Sequence, residues 1–549
     1  MKQSVCIFVF CFLLTTSTLV AQVEHTPVYH PVYTFLTRLE ARGFLGNISL
    51  SQLPLQRSQV IEALKNAQSF SQDLSTSEQN TLIRFLREFR IIERKNATVF
   101  PSRSDSIQVL STEMFDEIAE KLLFFYADST NMISIYPLGS LEPMVVKNSN
   151  SSEDLSGVLG QIGGRIHGSI GDNFGYFLQT TNGTVLQGNR LIGFEIPKLS
   201  QNIKFSKFNS DFDFTESHIR FQKDWFYGIL GRENRLVGAG YLQRTFLSDN
   251  APPMDALQVG AKFETFEYRY THASLLGIPI GNVTGGFSTV IPPKYLAMSR
   301  FSYKPTWGEI SFIQSTVYSS RNFDLAYVNP FTFLKSVEHS LRDRDNSMMG
   351  LDATIRPISR VQIRASFLMD DISFSTLNTD WWHNKFSSTV GLLYASPFGS
   401  DLIVEYTRNS PYVFTHFNVQ NSMTNDGIEF SGFVPPNSDI LSFHTVNWWL
   451  GNRYPITLTA SYQRYGRNQY DSTGQLIFNA GSDVLQTRRP FDSEFIKFLE
   501  GDLQKIVTLQ STIGYEIIRG YSVHGVVKAQ FIDTSTKLTG QIIFRFEDF

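Results

Sequence analysis

The chain has 549 residues and a formal net charge of −3, which argues against a nucleic-acid partner, because proteins that bind nucleic acids present a basic surface. Charged residues make up 18% of the chain and aromatic residues 14%, whereas a typical soluble domain has about 25% charged residues. The mean hydropathy is −0.13. Beyond the N-terminus, no stretch approaches the roughly 18 consecutive apolar residues of a spanning helix, which excludes a helical membrane protein.

Residues 1–21 have the features of a secretory signal segment. Lys2 supplies the positive start and Val5–Leu14 the short apolar stretch, and small residues then lead to a predicted cleavage before Gln22. Both cysteines of the chain lie in this segment. The exported chain therefore has no cysteine, which excludes disulfide frameworks, zinc–cysteine sites and cysteine nucleophiles.

Helical periodicity extends over residues 30–92 and predicts a small bundle of three helices. The first, "VYTFLTRLEARGFL", follows Pro31, a residue that suits the start of a helix. The second begins near Arg57 in "RSQVIEALKNA". The third contains "TLIRFLREF", and Ser75 and Glu78 before it have the spacing of a capping box.

The N-terminal region as a whole is predicted to extend over residues 22–131. Its last part, residues 93–131, is predicted to be a linker with one more helix around Met114–Phe125. From residue 132 to the C-terminus, the period of the apolar residues changes to two, which is the period of β-strands.

Residues 257–270 illustrate the strand pattern. Apolar residues fall on odd positions over Leu257–Phe263 and on even positions from Phe266 to Tyr270, with Glu264 and Thr265 forming a tight turn between the two strands. The same alternation predicts 18 strands near 133–146, 157–170, 174–186, 214–222, 225–232, 254–263, 266–275, 293–304, 308–318, 347–356, 360–370, 385–396, 400–409, 438–450, 454–465, 502–515, 520–532 and 536–546.

The connections between these strands decide between a soluble sandwich and a membrane barrel. Short turns alternate with long polar segments, the long ones being 187–213, 233–253, 319–346, 410–437 and 466–501. This asymmetry is typical of outer-membrane barrels, with short periplasmic turns and long outside loops. We therefore predict a mainly β fold, an 18-stranded antiparallel transmembrane outer-membrane β-barrel over residues 132–549 with a small N-terminal periplasmic helical bundle. An even strand number places both barrel ends in the periplasm and the long loops at the cell surface.

The C-terminus supports outer-membrane assembly. "KLTGQIIFRFEDF" ends in Phe549, and a terminal aromatic residue is a familiar signal to the outer-membrane assembly machinery. Phe549 has the wrong parity for the lipid face that ends in Phe546, so either Phe546 is the effective signal or the last residues leave the strand. The expected partners include this machinery and outer-membrane lipid, and the expected state is a monomer.

Several segments in one order resemble the capsule-assembly Wzi family. They are "VYTFLTRLEARGFLGN" with "RSQVIEALKNA", "LSDNAPPMDAL" (247–257), "YVNPFTFLKSVEH" (327–339), "GLDATIRP" (350–357) and "PNSDIL" (436–441). The resemblance spans nearly the whole exported chain, and its motif positions include Asn250, Pro252, Pro253, Asp255, His339 and Asp352. It implies an 18-stranded outer-membrane barrel with a periplasmic helical bundle, acting as a surface lectin that holds or organises capsular polysaccharide.

The sequence contains no clear set of catalytic residues. The ten histidines are scattered, with no pair at metal-ligand spacing, so neither a metal nor another cofactor is predicted, and the chain is not expected to be an enzyme. His339 could be a loop ligand or base, although a structural hydrogen bond is the simpler role. Asp370 and Asp371 are adjacent, whereas paired glycosidase carboxylates come from separate strands.

Three predicted outside loops carry aromatic and polar residues suited to sugars. Aromatic rings can stack on the C–H faces of pyranoses, and amides and charges can bind their hydroxyls. The candidates are Tyr327, Asn329, Phe331, Arg342 and Arg344 in one loop, Trp381, Trp382 and His383 in a second, and Tyr412, Phe414 and His416 in a third. The alternative is that such aromatics form an interfacial belt or pack a folded-in plug.

The predicted function is therefore non-enzymatic binding of capsular or extracellular polysaccharide at the outer membrane. One alternative is a channel for small solutes, since an 18-stranded wall is wide enough for an aqueous lumen. A third hypothesis is a surface enzyme that modifies glycan or lipid.

Overall fold

The computed structural model describes residues 22–547 except 93–94, 101–106, 108–110, 152, 281–289, 378, 449–452 and 454. The predicted signal segment 1–21 and the terminal Phe549 lie outside the described residues. Within the described part of the chain, no helix combines the length and the apolar character needed to cross a membrane.

Eighteen antiparallel strands form a closed barrel, as predicted. Each strand pairs with its neighbours in the chain, and β18 pairs with β1 to close the wall. The strands are β1 Met132–Asn148, β2 Leu155–Ile170, β3 Phe174–Gly188, β4 Asp211–Lys223, β5 Phe226–Glu233, β6 Met254–Lys262, β7 Phe266–Leu276, β8 Pro293–Tyr303, β9 Gly308–Ser319, β10 Asn346–Ile358, β11 Val361–Asp371, β12 Lys385–Ala395, β13 Ser400–Asn409, β14 Ser438–Asn447, β15 Ile456–Arg467, β16 Asp502–Ile518, β17 Tyr521–Ile532 and β18 Ser535–Phe546.

Strand alternation divides the wall into two faces. On β6, Leu257 is 50% exposed on the outside, whereas Gln258, the next residue, is 1% exposed on the inside. Closure pairs both edges of each of the eighteen barrel strands, which is the condition for strands to exist in lipid. The fold is that of an outer-membrane barrel, with an apolar face for lipid and a polar face for the lumen.

The three predicted N-terminal helices are present as α1 Val32–Arg42, α2 Arg57–Ser69 and α3 Thr76–Glu88. The capping box before α3 is formed, because Ser75 Oγ accepts from the amide of Glu78 and the Glu78 carboxylate accepts from the amide of Ser75. The helices share one apolar core that extends to Trp448, beyond the end of β14. They therefore pack against the barrel at the end with the short turns.

The helix predicted around Met114–Phe125 is wrong. Residues Glu120–Ala127 form a strand that pairs in antiparallel fashion with the start of β1 and in parallel fashion with a short strand, Asn96–Phe100. The run "EKLLFFYA" is rich in aromatic residues, which favour strands. Its apolar residues are contiguous, so their periodicity does not distinguish a helix from a buried strand.

The long connections contain short elements. The helices are α4 Pro197–Ser200, α5 Ile203–Phe208, α6 Leu325–Val328 and α7 Leu334–Ser340, with 3-10 turns at Ser71–Asp73, Thr112–Phe115, Arg190–Glu195, Phe374–Thr376 and Val419–Asn421. Three two-stranded ribbons pair Gln52–Leu53 with Leu236–Val237, Thr424–Asn425 with Ile428–Glu429, and Gln469–Tyr470 with Leu476–Phe478. The first ribbon joins the N-terminal region to the connection between β5 and β6.

Substitutions on the two faces of β16 test which residues of the wall face lipid and which face the lumen. Leu509 is 47% exposed on the lipid side, and Gln510 faces the lumen. We expect Leu509→Arg to lower the free energy of unfolding by about 2–4 kcal/mol, the cost of arginine near the bilayer midplane. Gln510→Arg is the matched control and should change stability far less. Unfolding in lipid vesicles measures both, and equal losses would contradict the assignment of faces.

Candidate functional site

The N-terminal helices are tied to the lumen wall by buried ion pairs. Arg38 of α1 contacts Asp401 of β13 and donates to Glu78 of α3 with an Nε–Oε1 distance of 2.7 Å. Arg364 of β11 donates to Glu40 with an Nη2–Oε2 distance of 2.5 Å. Because an uncompensated buried charge is strongly destabilising, these pairs fix the helices inside the barrel end.

His25, His218 and Glu233 converge in a second buried cluster that sequence spacing did not reveal. Both histidine Nδ1 atoms lie 3.1 Å from Glu233 oxygens. Arg220 donates to His25 Nε2 at 3.0 Å, and Arg235 lies 3.0 Å from Glu233. Burial lowers the pKa of His25 to about 3, so its ring is neutral. The arrangement resembles a metal-ligand trio, but two guanidinium groups already occupy the positions beside it, and its contacts join the N-terminal segment to β4 and β5.

The connection between β5 and β6 enters the lumen. The Glu405 carboxylate of β13 accepts from the backbone amides of Tyr241, Leu242 and Gln243, the last at 2.8 Å. Asn250 donates to the carbonyl oxygens of Glu429 and Gly432 at 2.8 and 2.7 Å. The motif residue Asn250 therefore ties two long connections together.

The other family-like motif positions lie apart from one another. Pro252 accepts a hydrogen bond from Asn425 and lies, with Pro253, at a luminal cavity. Asp255 is exposed on the outer wall, where Arg232 approaches it at 3.1 Å. Asp352 is buried in the lumen and accepts from Ser366. The His339 side chain is 61% exposed.

Trp381, Trp382 and His383 form a half-buried group at the loop end of the barrel, which we call the tryptophan platform. The rings of Trp381 and Trp382 lie 5.1 and 4.7 Å from the His383 ring. His383 Nε2 is 2.9 Å from the Asp371 carboxylate, which fixes the imidazole. Aromatic side chains beside a few oriented polar groups are the usual lining of ligand-binding sites.

The connection between β15 and β16, which sequence reasoning left unassigned, completes the platform. Arg488 lies over the Trp382 ring at 5.3 Å, and the Trp382 amide donates to the Glu494 carbonyl at 2.9 Å. Trp381 forms an isolated β-bridge with Phe495. The sequence signal for this association was slight, a run of arginine and aromatic residues between 488 and 498.

Tyr412 and Phe414 lie beneath the surface. Both are fully buried. The Tyr412 hydroxyl donates to the Asn479 carbonyl at 3.0 Å, and its ring meets Trp382 edge-on at 5.8 Å. His416 is partly covered, and burial lowers its pKa to about 4. This third loop supports the platform from below, as the folded-in alternative for loop aromatics anticipates.

The first candidate loop folds over the outside of the barrel wall. Tyr327 is fully buried against the outer wall of β7, whereas Phe331 is exposed outside the barrel. Asn329, Arg342 and Arg344 are exposed on the same segment. The structure therefore does not bring the three predicted sets into one sugar-binding surface.

A polar cavity lies inside the lumen beside β1–β4. Its volume is about 440 Å³, and its walls carry amides and charges of both signs, including Glu142, Gln161, Gln179, Lys198, Gln201, Asn202, Asp213 and Asn234. The neighbouring wall, β15–β18, has inward residues that are only partly buried, among them Gln510 and Gln530. This half of the lumen is more accessible to water than the half that receives the N-terminal helices.

These features define a class, the outer-membrane β-barrel proteins, here with one half of the lumen filled by the N-terminal helices and an inward connection. Among solved structures, the chain is similar to Wzi of Escherichia coli, an outer membrane protein involved in group 1 capsule assembly and described as a carbohydrate-binding β-barrel. The TM-score is 0.54 at 11% identity, covering 95% of this chain and 98% of that one. At this identity the likeness establishes the fold alone.

Other solved barrels are less similar. OccAB4 of Acinetobacter baumannii has a TM-score of 0.43 at 7% identity, covering 75% of this chain and 97% of that one. OccD3 of Pseudomonas aeruginosa has a TM-score of 0.39 at 10% identity, covering 75% and 91%. No family model matches the chain, and no curated protein matches it.

The burial of the third loop has a measurable consequence. We expect Tyr412→Ala and Phe414→Ala each to lower the free energy of unfolding by about 3–5 kcal/mol, because each removes a buried aromatic ring. Phe417→Ala, at an exposed position of the same loop, is the control and should be nearly neutral. Thermal unfolding and barrel abundance measure the effect. Unchanged stability of the two buried variants would contradict their place in the core.

Proposed function

We propose that this protein binds capsular or extracellular polysaccharide at the cell surface and holds it without chemical change. The observation that carries the proposal is the tryptophan platform, where two half-exposed indoles lie beside His383 and Arg488 on converging loops. The carbohydrate binding described for Wzi, whose fold this chain shares, supports the same function.

The platform has the chemistry that a glycan requires. Indole faces can stack on the C–H face of a pyranose ring, and the His383–Asp371 pair and Arg488 can bind hydroxyl or carboxylate groups. A polymer meets many such sites on one cell, so avidity retains it even when each site binds weakly. The protein is proposed to act as a monomer.

The proposed location is the outer membrane, with the N-terminal region in the periplasm and the long loops outside. Because both cysteines lie in the predicted signal segment, single cysteines introduced elsewhere report on this orientation. We expect a membrane-impermeant maleimide to label Thr473→Cys, at an exposed loop tip, on intact cells. Asp172→Cys, in the short turn between β2 and β3, should be labelled only after lysis. The opposite pattern would reverse the orientation.

Loss of the platform should release polymer from the cell. We expect Trp381→Ala combined with Trp382→Ala to weaken each site by about 1 kcal/mol per lost ring contact and to move polysaccharide from the cell-bound fraction to the medium. Deletion of the whole chain should do the same without stopping synthesis. Trp307→Ala, at the short-turn end, is the matched control. Sugar assays of cells and medium measure retention, with barrel abundance measured in parallel. Normal retention in the double variant and the deletion strain would refute the proposal.

A second candidate function, passage of small polar solutes, is favoured by the partly buried polar residues along β15–β18. The N-terminal helices and the inward connection between β5 and β6 oppose it, because they fill the other half of the lumen. Planar-bilayer recordings separate the two functions. Steady large openings, with loss of solute uptake on deletion, would favour the channel, whereas a silent barrel favours polysaccharide binding.

A further inference from the structure

The outer wall of β8–β10 has a polar patch where a lipid face is expected. Ser299, Gln314, Thr316 and Ser347 have the parity of the outward residues Phe301, Phe312 and Leu351, yet all four polar residues are buried. Polar side chains facing hydrocarbon are costly unless they are hydrogen-bonded. Something other than lipid must therefore cover them.

The cover is residues 321–345, which leave the top of β9, descend the outside of the barrel and return to β10. We call this segment the finger. Gln314 Nε2 donates to the Thr332 carbonyl at 3.0 Å, and Gln314 Oε1 accepts from the Leu334 amide at 2.9 Å. The hydroxyls of Tyr268 and Tyr270 on β7 donate to the carbonyls of Pro330 and Tyr327. The wall thus hydrogen-bonds the backbone of the finger.

The outer surface of the finger changes from polar to apolar along its length. At its base, Arg321 binds Asp345 through two hydrogen bonds of 2.8 and 2.7 Å, and Arg342 is exposed. Beyond the base, Leu325 is 82% exposed, and Phe331 at the tip is 87% exposed. Large apolar side chains at such exposure are stable in lipid and unfavourable in water, so the base fits the aqueous surface and the tip the membrane.

A groove of about 1100 Å³ lies between the tip and the wall of β3–β7. Its floor is made of outward apolar side chains, including Leu178, Ile219, Leu230, Leu257 and Val259, and its edge carries Leu325 and Val328 from the finger. The floor is continuous with the lipid face of the barrel. An acyl chain is the apolar molecule that this surface meets.

We propose that the finger inserts its tip into the outer leaflet and that the groove beneath it holds an acyl chain of a phosphorylated outer-leaflet lipid. Arg342 and Arg344, exposed near the base, bind the phosphates of the same lipid. Guanidinium groups suit phosphate because they present paired donors. The inference depends on the membrane position of the barrel and not on polysaccharide binding.

Insertion of the tip is tested by labelling intact cells. We expect a membrane-impermeant maleimide to react with His339→Cys near the base, but at least tenfold more slowly with Phe331→Cys at the tip, which lipid shields. Both positions are exposed in the protein itself, so the protein alone does not account for a difference. Equal rates would place the tip in water and overturn the proposal.

Lipid binding is tested by native mass spectrometry of the full-length protein titrated with diphosphorylated lipid A in non-ionic detergent. A bound lipid A should survive removal of the detergent. Leu230→Trp fills the groove from an exposed position and should reduce the bound fraction at least fivefold, whereas Leu509→Trp, on the opposite wall, should not. Arg342→Ala with Arg344→Ala should weaken lipid A more than its dephosphorylated form.

Three results would overturn the lipid site. Equal binding by the Leu230→Trp and Leu509→Trp variants would mean that lipid coats the barrel without using the groove. A dimer that Leu230→Trp abolishes would assign the groove to a second copy of the chain. Equal weakening of both lipid A forms by the arginine substitutions would remove the phosphate contact. Retention of polysaccharide is scored separately, because loss of lipid binding with normal retention leaves the proposed function intact.

Discussion

Pairing of buried charge is the constraint on which the interior depends. The inward face of β8–β13 carries Arg300, Glu309, Arg364 and Asp401, all shielded from water. Each has an oppositely charged partner, either on the wall, as in the 3.0 Å contact between Arg300 and Glu309, or on the helices, as in the pair between Arg364 and Glu40. Removing one member of a buried pair destabilises the fold by more than the intact pair stabilises it. The charges on the wall therefore require matching charges on the helices, and the charges on the helices require matching ones on the wall.

This constraint explains why the two halves of the lumen differ. Where the wall is charged, the N-terminal helices and the β5–β6 connection supply partners and exclude water. Along the middle of β16 the inward residues are uncharged, as at Thr508, Gln510 and Thr512, and they remain partly accessible. Glu516, near the short-turn end of the same strand, is charged and pairs with Arg84 of α3. Uncharged polar groups are satisfied by water without a fixed protein partner. The filled half positions the loops, and the open half provides the polar cavity.

The regular elements were predictable because their physical cause is periodic. A strand between lipid and lumen must alternate apolar and polar residues, and a helix packed on a core must repeat its apolar residues about every 3.6 positions. These periods placed 18 strands and three helices within a few residues of their observed bounds. Contiguous apolar runs lack this information, which is why Glu120–Ala127 was mistaken for part of a helix.

The candidate site was less predictable, because loop composition does not show whether a loop folds inward, outward or over the wall. Tyr412 and Trp381 occur in similar aromatic loops, yet one is buried and the other half exposed. The sequence of the strands does contain one sign of the finger. Ser299, Gln314 and Thr316 occupy lipid-facing parity on β8 and β9, and polar residues in that register require a cover.

The polysaccharide retention that we propose makes a mechanical demand on these parts. Many weak contacts hold a chain only if each site is anchored more firmly than it binds, because otherwise the pull of the polymer removes the protein. A helix-anchored or peripheral protein would resist through one apolar segment. Here eighteen closed strands present a continuous apolar belt, and extraction would expose every lipid-facing residue to water at once. In the proposed orientation, the finger adds apolar surface on the side where the polymer would pull. The fold therefore suits a binding site that is weak, numerous and fixed in place.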